Sequence, residues 1–100
     1  ELFLGALASG KLVSAKSYQA MQTPIVNDGP EGIGLGIAIR PSGALWNVGL
    51  NEDGYRSLFL HDPRQDLRIV ILGNKWMSLT GKSLAKTLLP EIYASLGLKE

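Results

Sequence analysis

The chain has 100 residues, 45% of them hydrophobic and 19% charged, with a formal net charge of +1. That is ordinary globular composition, which argues against disorder, and the interspersed charges form no basic stripe or acidic tail that would point to nucleic acid or a membrane surface. With no cysteine and one histidine, disulfides and a cysteine nucleophile are excluded and a zinc site is not expected.

The first segment is Leu2-Phe3-Leu4 with Ala6 and Leu7, one broad helical face that stops at Gly10. The chain opens inside this apolar pattern, so further polypeptide upstream is expected. Ser14 reads as an N-cap for a short helix over Ala15 to Gln22, with Tyr18 and Met21 inward, ended by Thr23-Pro24. Residues 27–32, Asn-Asp-Gly-Pro-Glu-Gly, have loop composition.

The period then becomes two. Ile33, Leu35, Ile37 and Ile39 alternate with Gly34, Gly36, Ala38 and Arg40, a strand with one bulky and one small face. Gly32, Gly34 and Gly36 lie on this strand rather than in a strand-to-helix turn, so they do not make a dinucleotide loop. They would instead let another element press on the sheet. Pro41-Ser42-Gly43 is a turn, Ala44 to Val48 a second strand, residues 49–54 a loop and Tyr55 to His61 a third strand. Asp62 to Asp66 is a tight connection. Leu67 to Leu72 is a fourth strand, apolar enough to be central in a sheet.

From Leu79 the period is helical again, with Leu84, Leu88, Ile92 and Leu96 recurring to a stop at Gly97 and Pro90 inside. The pattern predicts one α+β unit over residues 1–100. An antiparallel sheet of three to four strands is flanked by N-terminal helices and a long C-terminal helix. No apolar run approaches the ~20 residues of a membrane span.

Three short motifs have plain explanations. Thr80-Gly81-Lys82-Ser83 lacks the first glycine of a phosphate loop, since Trp76 stands there, and reads as a helix start capped by Thr80 or Ser78. Ser83-Leu84-Ala85-Lys86 matches a serine–lysine nucleophile motif by residue type but sits at a helix start, where capping explains it. His61, beside Asp62, is compatible by residue type with a triad, but its position predicts a turn histidine facing water.

The stretch from Trp46 to Asn74 carries the most information. It runs Trp46-Asn47-Val48-Gly49-Leu50, then Gly54-Tyr55-Arg56-Ser57, His61-Asp62-Pro63, and Ile69-Val70-Ile71-Leu72-Gly73-Asn74. Together with Gly34-Leu35-Gly36 and Gly10-Lys11-Leu12-Val13-Ser14 upstream, it resembles the C-terminal part of the serine β-lactamase-like family. That family includes class C β-lactamases, D-Ala-D-Ala carboxypeptidases and esterases. The resemblance covers nearly the whole chain, in the family's order.

The resemblance implies a partial β-lactamase/transpeptidase-like fold and acyl transfer on a lactam, ester or peptide, without metal or organic cofactor. Trp46, Asn47, Val48, Gly49 and Leu50 would be the third-motif, substrate-binding strand, in which Asn47 stands where the family has lysine or histidine. No complete catalytic set lies in the chain. The nucleophile motif and the second motif would belong to the N-terminal remainder of the same protein. Ser83 and Lys86 follow the third motif and so do not replace them. The alternative is a catalytically idle homologue, or a detached sub-domain, that binds ligand or peptide. Self-association of the isolated piece is expected from apolar surface left uncovered. The resemblance suggests a bacterial periplasmic or secreted protein, and the residues do not exclude a cytoplasmic one.

Overall fold

A computed structural model describes residues 2–50, 54–74 and 83–100; the side chains of Leu50, Leu84 and Ala85 are outside the description. The first helix, α1, spans Leu2–Ala8. Its end follows from Gly10, whose φ of 81° lets the chain reverse. The Gly10 N–H reaches Leu7 O (3.4 Å) and the Lys11 N–H reaches Ala6 O (3.0 Å), the paired bonds of a Schellman stop. Helix α2 spans Ala15–Met21, with Ser14 Oγ accepting from the Ser17 N–H as a capping side chain should.

Two hairpins follow. Strand β1, Val26–Asp28, pairs with β2, Glu31–Ile33, around Gly29-Pro30. Gly29 has φ 59°, the sign that a II′-type turn requires at its first central residue. The chain then leaves the sheet over residues 34–37 and returns as β3, Ala38–Ile39, which pairs with both β2 and β4, Leu45–Leu50. Arg40 and Ala44 close this second turn, with Gly43 at φ 88°. Strands β5, Arg56–Asp62, and β6, Leu67–Gly73, complete a six-stranded antiparallel sheet in the order β1-β2-β3-β4-β5-β6. The last helix, α3, spans Leu84–Ser95.

The chain divides into two compact units, Glu1–Asn47 with Phe59–Val70, and Val48–Leu58 with Ile71–Glu100. In the first, Leu7, Ile37 and Leu45 form a buried cluster, and Val13, Tyr18, Met21 and Ile39 pack around it. Each fully buried aliphatic side chain of this kind contributes about 1.5–3 kcal/mol. In the second, Leu58 is buried, and α3 buries Leu89 and Tyr93, one turn apart on one face.

The architecture corrects the expected one. Among the described residues the sheet has six strands, not three to four, and the C-terminal helix has 12 residues. Ser83, not Thr80 or Ser78, is its cap: the Ser83 hydroxyl accepts from the Lys86 N–H (3.2 Å), which fixes the helix start at Leu84. The expected helical residues 79–82, with Thr80, Gly81, Lys82 and the proposed cap Ser78, lie outside the described residues. Capping is thus what the Ser83-x-x-Lys86 spacing does.

The Asn27–Gly32 segment, loop-like by composition, is a β-hairpin, because turn residues fill only its tip and backbone pairing holds the rest. The single strand expected from Ile33 to Arg40 is interrupted. A Cβ on Gly34 would overlap the Met21 carbonyl, and the Leu35 N–H donates to that same carbonyl (3.1 Å). The Gly34 N–H turns inward to Ile37 O (2.8 Å), so the backbone here serves the helix end rather than a ladder. β6, expected in the centre of the sheet, is last in the strand order. Its apolar run alternates, with Ile69 buried and Val70 and Leu72 exposed.

Gly34→Ala is therefore expected to be costly. Its methyl meets a backbone oxygen that cannot rotate away, so the loss should reach about 1–3 kcal/mol, as for other forced overpacking. Gly10→Asn, at φ 81° in open space just past a helix end, places a residue that tolerates the left-handed conformation there and should cost less than Gly34→Ala. Urea midpoints of the two variants check this ordering.

Candidate functional site

Strand β4 carries the five residues singled out in the sequence. Alternation along it leaves Asn47 and Gly49 exposed, with Trp46 and Val48 half-buried. Leu50 ends the strand, and residues 51–53 of the loop expected to follow lie outside the described residues.

Trp46 is held by two contacts. It donates from Nε1 to Glu31 Oε2 on β2 (3.2 Å), and the Arg40 guanidinium sits 4.7 Å from its ring centre, within cation–π range. Asn47 donates from Nδ2 to the Gly36 carbonyl at 2.7 Å. Gly36 has φ 74°, and its carbonyl belongs to the same bend that Met21 and Gly34 create. The amide at position 47 is thus already a donor to backbone. It brings no charge to the strand.

Further along β4, a Cβ on Gly49 would come within 2.7 Å of Ser57 Oγ on β5. The missing side chain keeps the Ser57 hydroxyl against the strand's backbone. Around this point Gly49, Tyr55, Arg56, Ser57, Leu72, Gly73 and Asn74 line an open depression of about 650 Å³. Ser57 and Asn74 supply hydrogen-bonding groups there, Tyr55 and Leu72 exposed apolar surface. In the sequence, Ser57, Tyr55 and Asn74 stand only as parts of the run from Trp46 to Asn74. That they share a depression with Gly49 follows from strand pairing, which a linear reading does not give.

The histidine expectation is overturned. His61 lies within β5 and is only 7% exposed, not a turn residue in water. Burial lowers its pKa below the ordinary 6.5, the Arg68 charge lowers it further, and Asp66 and Asp62 oppose the shift. Asp62 itself is fully buried and accepts from Arg64 Nε (3.0 Å), Arg64 Nη2 (2.7 Å), the Arg64 N–H (3.1 Å) and Gln65 Nε2 (2.9 Å). This carboxylate anchors the β5–β6 connection. The charged fork from Arg64 is the strong kind of hydrogen bond, which makes burial of the charge tolerable.

A second concavity lies between α1 and α2, where Leu7, Ser9, Gln19, Gln22 and Pro24 surround Tyr18. Burial raises the Tyr18 pKa, so its phenol stays protonated and neutral at physiological pH. Among the described residues there is no group of three or more His, Asp or Glu placed to hold a metal, and no helix is long and apolar enough to cross a membrane.

Two outcomes follow from these placements. Because folding holds His61 neutral, the unfolded chain binds a proton that the folded chain does not once pH falls below about 6.5. Stability is full above that value and declines as pH drops toward the lowered folded pKa. His61→Gln should flatten the difference in urea midpoint between pH 7.5 and 5.5. By contrast with Gly34, Gly49→Ala meets only a rotatable hydroxyl. It should cost less than about 1 kcal/mol, and Ser57→Ala should remove most of that cost; a double-mutant cycle measures the coupling.

Compared with known proteins, the chain matches no family model, no curated protein and no solved structure.

Proposed function

We propose that this chain is the C-terminal portion of a serine hydrolase of the β-lactamase and penicillin-binding-protein type, and that β4 borders its substrate cleft. The observation that carries the reading is the ordered run from Trp46 to Asn74. Its Asn47 and Gly49 share the exposed face of one strand, and its Gly-Tyr-Arg-Ser segment brings Ser57 beside Gly49. An exposed strand with a glycine at its outer end can admit an acyl group close to the backbone. Backbone N–H groups there would stabilise the oxyanion that forms when a serine attacks an amide or ester carbonyl.

In this reading the serine hydroxyl adds to the carbonyl carbon and gives its proton to a neighbouring base. The leaving amine or alcohol takes up a proton as the carbonyl re-forms, and water then releases the acyl group from the serine. The serine and its base lie on polypeptide outside these 100 residues. β4 contributes orientation and a wall that excludes solvent.

Asn47 favours a second reading. It replaces a cation, and its amide is committed to Gly36 O at 2.7 Å, so the strand gives no positive field to a substrate carboxylate. A homologue with that change would bind lactam- or peptide-like ligands without turning them over.

Assays of the full-length protein with nitrocefin and p-nitrophenyl esters separate the two. The hydrolase reading expects turnover of at least one substrate, lost by several orders of magnitude when the upstream nucleophilic serine is replaced. Saturable binding of a β-lactam or D-Ala-D-Ala peptide without turnover supports the idle homologue. Neither binding nor turnover overturns both.

A further inference from the structure

We draw no further inference here: the strongest candidate, the open depression on the β4–β6 part of the sheet around Gly49, Ser57, Leu72 and Asn74, belongs to the site already described, and nothing in the structure shows what covers its exposed apolar rim.

Discussion

The contact between the end of α2 and the bend after β2 sets the geometry of the first unit. Met21 offers its carbonyl where a side chain on Gly34 would otherwise stand, and the Leu35 N–H takes it. Because that bond draws the backbone out of the ladder, the chain must turn at Gly36 to re-enter the sheet as β3. The turn points the Gly36 carbonyl at Asn47. One steric allowance thus links a helix end, an interrupted strand and the exposed face of β4. Ile37 follows the bend directly into the core with Leu7 and Leu45, so the burial energy of that cluster stabilises the bend itself.

The β5–β6 connection is held electrostatically. Asp62 is buried with its carboxylate satisfied by Arg64 and Gln65, and neighbouring His61 is buried in its neutral form. Arg64 remains half-exposed, so solvent shares the cost of confining its charge. These bonds tie down the connection from β5 to β6, and Asp66, at φ 48°, completes it in a conformation that aspartate tolerates.

Much of the local structure was legible in the residues. The cap at Ser14, the stops at Gly10 and Gly97, and the turn at Pro41–Gly43 all follow from short-range chemistry. Gly97 shows this well: its φ of 69° lets Leu98 N–H return to Tyr93 O (2.9 Å). What the residues did not disclose depends on partners distant in sequence. Ile33 to Ile39 has strand periodicity, yet the Met21 carbonyl breaks it. Asn27 to Gly32 has loop composition, yet cross-strand pairing makes it a hairpin. Leu67 to Leu72 looks doubly buried, yet it comes last in the sheet and exposes alternate residues. His61 looked solvent-facing because its turn neighbours are polar, but the strand carries it into the interior. For the site, the identity of the β4 residues was readable, whereas the meeting of Gly49 with Ser57 required the fold.

The functional account rests on β4 as one wall of a cleft whose reacting serine lies elsewhere in the protein. Asn47 is its most informative residue: its uncharged amide is engaged with the Gly36 carbonyl, so under the proposed hydrolase reading β4 would offer a substrate its backbone rather than a charge. Covalent trapping addresses this most directly: intact-mass and peptide mass spectrometry of the full-length protein after exposure to a β-lactam and to a fluorophosphonate. The account predicts one stoichiometric acyl or phosphonyl adduct, on a serine outside residues 1–100. An adduct on Ser57 or Ser83, or no adduct with either reagent, would contradict it.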